Sequence, residues 1–251
     1  MKFNKIAAFL LAAVCAASCV SCEKEKSADK ENISQIIENI GENEAGELIT
    51  PAEDSEEYEL GAYRYSSNGV KLYAGDDTVT TDVLLALEKY FLTIQNNDFE
   101  GYKNSLYPDY AERYDKYLRE EYSKTVGKDY SLQNSFEMRY NMIRDDVKDM
   151  LTYESDEEKE FTGDYKITRI RVEKPIYEEG VTEETLIQSF FDSYKDIFDI
   201  DYSEFVKNDV DSLMPFTLFV MAETEDGNEH KIISEVNIIL AEKDGKYYTF
   251  G

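Results

Sequence analysis

The chain has 251 residues, of which 42% are hydrophobic and 13% aromatic, and its formal net charge at pH 7 is −27. A charge of this sign excludes nucleic acid as the default partner, because phosphate binding needs an excess of Lys and Arg. All three cysteines lie within the first 22 residues, so the rest of the chain has no disulfide framework. It must fold around an apolar core of its own, which this hydrophobic fraction can provide.

The first residues have the pattern of an export signal. Lys2 and Lys5 precede an uncharged stretch over residues 6–20, and charge returns at Glu23. This stretch is too short to span a bilayer comfortably as a helix. It ends in small residues and cysteines that resemble the lipobox of bacterial lipoproteins, Ala16-Ala17-Ser18-Cys19-Val20-Ser21-Cys22. The resemblance implies cleavage before a cysteine that has received a lipid.

Two cysteines compete for this lipid. Cys19 has Ala16 three positions upstream, whereas Cys22 has Cys19 at that position. Cleavage before Cys22 places a polar segment directly after the anchor and leaves no free thiol in an oxidising compartment. We therefore predict a signal peptide over residues 1–21 and lipidation of Cys22, with Cys19 as the alternative. A third interpretation is an ordinary secretory signal with incidental cysteines.

A diacylglyceryl group on this cysteine would hold the protein at the cell membrane, on its extracytoplasmic side, because two acyl chains are what stable anchoring requires. Residues 22–57 then form an acidic flexible tether, with twelve acidic side chains against three lysines. Within this tether Ile33, Ile36, Ile37 and Ile40 have the spacing of a short amphipathic helix. The helix either frays alone or docks onto the domain or a partner.

From Tyr58 the sequence changes to that of a folded domain. Residues 58–73 predict a hairpin with Asn68-Gly69 as its turn. Thr81 or Asp82 then caps a helix whose apolar residues hold one face and which ends near residue 96.

Further helices are predicted where apolar residues recur at helical spacing. Their expected ranges are residues 109–126, residues 131–151 and a stretch that begins at Thr182. Residues 165–172 have β character instead. Their alternation slips between Ile167 and Ile170, which predicts a bulge.

The last part of the chain predicts three antiparallel strands. Residues 216–222 alternate cleanly, and Asp226-Gly227 turns the chain into residues 231–241. Asp244-Gly245 makes a second turn into the last strand. Helices followed by a terminal three-stranded meander predict one α+β domain over residues 58–251, with the helices packed on a curved antiparallel sheet.

One stretch of helical sequence and the end of the meander carry a resemblance to a known fold. ALEKYFLTIQNNDFEGYKNSLYPDY, followed by a late meander ending in EKDGKYYTF, resembles the nuclear-transport-factor-two-like (SnoaL-like) cone fold. In that family a curved sheet wraps a long helix and leaves a pocket at its open end. The resemblance implies a cone-like domain over residues 81–251.

The predicted strand over residues 231–241 is apolar on both faces. One apolar set is Ile232, Val236, Ile238 and Leu240, and the opposite set contains Ile233, Ile239 and Ala241. A strand of this kind is covered on both faces. The cover comes either from the protein's own helices or hairpin, or from a second copy in a homodimer, as the cone-fold resemblance implies.

Four tyrosines follow one side of the second predicted helix at spacings of 3, 4 and 3 residues, Tyr107, Tyr110, Tyr114 and Tyr117. Such a stripe packs into a core, or it offers flat apolar faces and hydroxyl groups to a ligand. These tyrosines are the candidate ligand-binding residues. The ligand they would bind is an unidentified small molecule or another exported protein.

The sequence contains few side chains of the kinds that catalytic sites use. His230 is the single histidine, and we expect it at the surface beside the Asp226-Gly227 turn. A mature chain anchored at Cys22 has no thiol left, and the twelve glycines are scattered. Histidine triads, thiol nucleophiles and glycine-rich phosphate loops are therefore excluded.

A calcium site has to be considered because carboxylates are abundant. Asp199, Asp201 and Ser203 imitate the start of a calcium loop. Glu204 stands where glycine is needed, and Val210 replaces the bidentate acid. We predict no bound metal and no cofactor, and we assign these residues to helix capping.

Three functions remain open for the domain. The first is a noncatalytic module that binds a ligand or a protein at the membrane. The second is a cone-fold isomerase or dehydratase that would use a buried carboxylate and a tyrosine, with Glu223, Glu235 and Asn237 as polar candidates. The third is a structural assembly subunit. We predict the first, and we expect that the protein is not an enzyme.

Overall fold

The structure, a computed structural model, describes residues 27–122, 135–154, 163–195 and 197–251. The predicted signal, residues 1–21, and both candidate lipidation residues, Cys22 and Cys19, lie outside these ranges. Within them the chain forms an α+β fold in which helices pack on a six-stranded sheet. The sheet is mostly antiparallel and curls into a cone-like half barrel, so the predicted fold class is confirmed.

The helices and strands have the following bounds. The α-helices are α1 (Ser27–Glu38), α2 (Thr81–Gln95), α3 (Phe99–Ser105), α4 (Tyr110–Tyr117), α5 (Phe136–Glu154), α6 (Glu183–Asp192) and α7 (Tyr202–Lys207). The strands are β1 (Tyr63–Tyr65), β2 (Lys71–Ala74), β3 (Tyr165–Glu173), β4 (Ser212–Thr224), β5 (Glu229–Lys243) and β6 (Lys246–Tyr248). Their order in the sheet is their order in the chain, and β2 and β3 run parallel while the other neighbours are antiparallel.

The local turn and bulge signals of the sequence are confirmed. β1 and β2 form the predicted hairpin, and Gly69 in its turn has a φ of 80°, which favours glycine. The register between β3 and β4 shifts between Ile167 and Arg169, where the bulge was predicted. β4, β5 and β6 form the expected meander.

Several helix ends differ from the prediction. α4 ends at Tyr117 and continues as a π-helical turn over Leu118–Tyr122, so the described part of the helix predicted over residues 109–126 is not a single α-helix. α5 begins at Phe136, and residues 131–134 of its predicted range lie outside the described residues. α6 is capped by Thr182 as expected, and it ends at Asp192, where the Ser193 hydroxyl donates to the Phe190 carbonyl.

β5 contains irregularities that the sequence pattern did not predict. Register shifts on both sides of Val220 insert extra residues into β5, and Glu235 has a φ of 56°. Each extra residue reverses the sheet face to which the following side chains point. Ile233, which the alternation placed in the opposite set, therefore pairs with Val220. The neighbours Ile239 and Leu240 point to opposite faces and are both buried, so one chain covers both faces of this strand. The homodimer stays a prediction.

Aromatic side chains fill the concave face of the sheet, between the sheet and the helices. Those that are at most 3% exposed are Tyr102, Tyr107, Tyr110, Tyr140, Phe191, Tyr202, Phe216 and Phe250. Phe198 stacks on Tyr202 with a distance of 4.1 Å between ring centroids. The interior of the cone is therefore filled by the protein's own aromatic side chains.

Residues 33–60, called the strap below, lie across the outer face of the β1–β2 end of the sheet. Ile33, Ile37, Ile40, Ile49 and Leu60 pack on a cluster formed by Tyr63, Tyr65 and Tyr73. This contact agrees with the alternative in which the isoleucine helix docks onto the domain. The structure thus differs from an extended tether over these residues, because the strap buries apolar surface against the hairpin. The domain boundary at residue 58 stays a prediction.

Candidate functional site

The four tyrosines of the predicted stripe differ in burial. Tyr107 lies just before α4, whereas Tyr110, Tyr114 and Tyr117 lie on it. Tyr107 and Tyr110 are 2% and 3% exposed, and Tyr114 and Tyr117 are half-buried. Tyr110 contacts the rings of Tyr194, Phe198 and Phe250 with centroid distances of 5.8 to 6.0 Å. Two of the four candidate residues therefore pack in the core, and ligand contact stays a prediction.

Tyr107 also belongs to a polar cluster at the rim of the core. Its hydroxyl donates a hydrogen bond of 2.5 Å to Asp209, and the Lys243 ammonium donates to the same carboxylate oxygen. The bonds from Lys243 and Tyr107 hold the pKa of Asp209 below its usual range, while burial raises the pKa of Tyr107. The Tyr107 hydroxyl stays protonated and acts as a donor that joins the start of α4 to the start of β4.

A groove runs outside the filled cone, between α3, α4 and β6. Its volume is about 1030 Å³, and it is open to solvent. Residues that line it include Lys103, Asn104, Tyr107, Glu112, Lys246 and Tyr247. The groove offers aromatic surface together with many charged and hydrogen-bonding groups.

The charge balance of this groove differs from that of the whole chain. Four basic residues, Lys89, Lys103, Arg119 and Lys246, and five acidic residues, Glu100, Asp109, Glu112, Asp115 and Glu137, line it. In the whole chain acidic residues outnumber basic ones by 54 to 27. Two pairs are internal, since Lys103 binds Glu100 at 2.8 Å and Arg119 binds Asp115 at 2.6 Å.

The polar residues that the enzyme alternative relied on do not form a site. Glu223, Glu235 and Asn237 are all exposed on the meander. Glu235 lies at the β5 irregularity, and the Asn237 amide oxygen accepts a hydrogen bond from Thr217. Nothing in the described structure joins any of them to a tyrosine.

Among the described residues the buried carboxylate is Glu88, which the sequence pattern was not used to predict. Glu88 lies on α2 and is 3% exposed. It accepts hydrogen bonds of 2.5 Å from the Ser66 hydroxyl and 3.2 Å from the Asn68 amide, and burial raises its pKa. The signal was available, because Leu84, Glu88 and Phe91 have the spacing of one helix face. These bonds tie the hairpin turn to α2.

His230 lies elsewhere than predicted, since it is 9% exposed. β5 begins at Glu229, and His230 pairs with Ala222 on the helix-facing side of the sheet. Its Nε2 atom is buried and has no hydrogen-bond partner among the described residues. The prediction of a surface side chain was wrong because the strand starts two residues earlier than the alternation indicated.

Of the calcium-like residues, only Asp201 behaves as a helix cap; Ser203 lies within α7, and Asp199 is 3.5 Å from the Lys116 ammonium. Asp201 is the N-cap of α7 and accepts from the backbone N–H of Glu204 at 3.2 Å, and the Ser203 hydroxyl donates to Gln188. Across the described parts of the chain, no group of three or more His, Cys, Asp or Glu side chains could hold a metal ion. In the same residues no helix is long and apolar enough to cross a bilayer.

Comparison with protein-family models, with curated proteins and with solved structures finds no match to this chain.

Proposed function

We propose that the chain is an extracytoplasmic lipoprotein, anchored to the cell membrane through Cys22 or, alternatively, Cys19, whose domain binds a ligand or an exported protein without catalysis. The groove between α3, α4 and β6 is the binding site in this proposal. The observation that carries it is the contrast between an interior filled by aromatic rings and an open groove of about 1030 Å³ outside it.

The chemistry of the groove supports binding. Tyr247 and the Phe99 ring provide apolar surface, and charged groups of both signs surround them. A ligand in this groove would meet a local charge close to balance on a protein that otherwise repels anions. Orientation would come from the polar groups and affinity from the rings.

The position of the buried carboxylate argues against the enzyme alternative. Glu88 is occupied by its bonds to Ser66 and Asn68, beneath the hairpin turn. A general base must reach the proton that it removes from a substrate. The filled interior favours the structural alternative, an assembly subunit, as the second candidate function.

Labelling with a radioactive fatty acid tests the anchor. We expect the wild-type chain to incorporate label and to sediment with membranes, because two acyl chains give stable attachment. The double variant Cys19→Ser/Cys22→Ser should lose both properties. Membrane attachment that persists in this variant would show that the hydrophobic run itself is the anchor.

Site-specific photocrosslinking tests the groove in intact cells. A photoreactive residue at Asn104, which is exposed and lines the groove, should give a defined adduct. The matched control carries the same residue at Ile176, which is 96% exposed and lies outside the groove. Identical adducts from both positions, or none from Asn104, would contradict binding in the groove.

A further inference from the structure

The strap pairs with the edge of the sheet as well as covering its outer face. The backbone N–H of Gly46 donates to the Tyr65 carbonyl at 2.8 Å, and Ile49 and Tyr63 exchange N–H to carbonyl bonds of 2.7 and 3.0 Å. The Arg64 guanidinium donates to the Gly46 carbonyl at 2.7 Å. These bonds satisfy backbone N–H and carbonyl groups of β1, which would be exposed if this edge strand were uncovered.

Ionic contacts join the strap to strands further into the sheet. Glu57 of the strap binds Lys71 on β2 and lies 3.9 Å from the guanidinium of Arg169 on β3. Arg169 also binds Glu229 at 2.9 Å. The acidic strap therefore meets cations on this face, although the protein as a whole is acidic.

The helical part of the strap fits closely against the hairpin turn. An added Cβ atom at Gly69 would lie 3.1 Å from the Ile37 side chain, so glycine serves both the turn and the contact. Ile36, one residue earlier on α1, is 36% exposed. The docked face and the free face of α1 are thus distinct.

This contact changes the length of chain that separates the domain from the anchor. From Cys22 to Ile33 there are ten intervening residues, and α1 is already helical from Ser27. A docked strap limits the reach to about 30 Å, given about 3.5 Å per extended residue and about 1.5 Å per helical residue. A free segment up to residue 60 would extend to more than about 100 Å.

We infer that the docked strap holds the domain close to the bilayer. Residues 23–32, called the lead below, then form the short segment that connects the hairpin end of the domain to the anchor. The inference rests on the proposed lipid anchor. The distribution of charge along the segment agrees with this inference. Lys24, Lys26 and Lys30 lie in the lead, whereas residues 33–62 contain no Lys or Arg. The nearly neutral lead is next to the lipid, and the acidic part of the segment is folded back onto the domain.

Energy transfer in vesicles measures this separation. The lipidated protein carries a donor dye at Ile176→Cys, the single free thiol of a mature chain anchored at Cys22, in phosphatidylcholine vesicles with headgroup-linked acceptors. The variant Ile33→Asp/Ile37→Asp places charge in the docked face and should lower the transfer efficiency, because the released lead is longer. The control Gln35→Asp/Ile36→Asp adds the same charge to exposed positions and should match the wild type.

An insertion tests the same point without touching a buried side chain. About 20 Gly and Ser residues placed between Lys26 and Ser27 should also lower the transfer, since only the lead grows. Equal transfer in the wild type, the insertion and the Ile33→Asp/Ile37→Asp variant would overturn the inference alone. Protein that stays in the aqueous phase would overturn the anchor and the inference with it.

Discussion

The two faces of the sheet are covered in different ways. The concave face is covered by α-helices whose aromatic residues pack against one another and against the sheet. Phe250, for example, contacts the rings of Tyr107, Phe191 and Tyr202. The outer face of β1, β2 and β3 is covered by the strap through half-buried isoleucines and ion pairs. The inner cover is therefore part of the fold, whereas the outer cover is a local addition to it.

This difference predicts two levels of stability in one molecule. Opening the strap exposes one small cluster, whereas opening the interior exposes most of the apolar core. Segments with few buried apolar contacts open at lower free energy than core strands. Substitutions on the two faces should therefore differ in their effect on the free energy of unfolding.

The largest effect is expected in the interior. Phe250→Ala should lower the free energy of unfolding by about 3–5 kcal/mol, because the Phe250 ring is 1% exposed and its loss leaves a cavity. Urea unfolding measures the change. Ile176→Ala, at a 96% exposed side chain, is the control and should stay within about 0.5 kcal/mol. A small effect of Phe250→Ala would mean that the interior is not tightly closed.

A smaller effect is expected at the rim of the interior. Tyr107→Phe removes the hydroxyl that donates to Asp209 and should cost about 0.5–1.5 kcal/mol in urea unfolding. Lys243 remains bound to Asp209, which limits the loss. Tyr247→Phe provides the comparison, as its hydroxyl makes no hydrogen bond within the described residues. Equal losses in both variants would assign the effect to the rings.

On the outer face we expect less than about 1 kcal/mol from Glu57→Gln, because ion pairs that remain partly hydrated contribute little. The global unfolding midpoint should hardly change, while protease cleavage within the strap should become faster. Glu59→Gln, two residues further at an exposed position, serves as the reference. A loss as large as that of Phe250→Ala would break the distinction between the faces.

Glu88→Gln is expected to change how the free energy of unfolding depends on pH. Burial, partly offset by bonds from Ser66 and Asn68, raises the folded-state pKa of Glu88 above its unfolded value. Its contribution to stability is therefore fully present below the unfolded pKa and falls as pH rises through the folded pKa. Glu88→Gln removes this loss, so its stability relative to the wild type should rise as pH increases from about 4, near the unfolded-state pKa, through the folded-state pKa of Glu88. A difference that is constant with pH would contradict the assignment.

Local signals allowed much of the fold to be predicted from the sequence. The turn at Asn68-Gly69 and the bulge after Ile167 depend on neighbouring residues alone, and both are confirmed. The β5 irregularity at Glu235 was not predicted, because apolar residues occupy both alternating sets and hide the extra residue. The parallel pairing of β2 with β3 joins residues nearly one hundred positions apart, which no local pattern indicates.

The candidate site was less predictable than the fold. The spacing of Tyr107, Tyr110, Tyr114 and Tyr117 identified one helix side, but their burial depends on rings from distant elements such as Phe250. Glu88 followed a helical spacing that was readable, whereas its partner Ser66 comes from another element. The groove combines side chains from α3, α4 and β6, which only the assembled fold brings together.

Hydrogen exchange of the mature protein measures whether the outer cover opens independently of the closed interior. We expect the N–H groups of Gly46 and Ile49, which bind β1, to exchange by local opening, and faster still in Ile37→Ala. The N–H groups of the central strands β4 and β5 should exchange at the free energy of global unfolding in both proteins. Equal protection of the strap and of β4 and β5, unchanged by Ile37→Ala, would contradict the account.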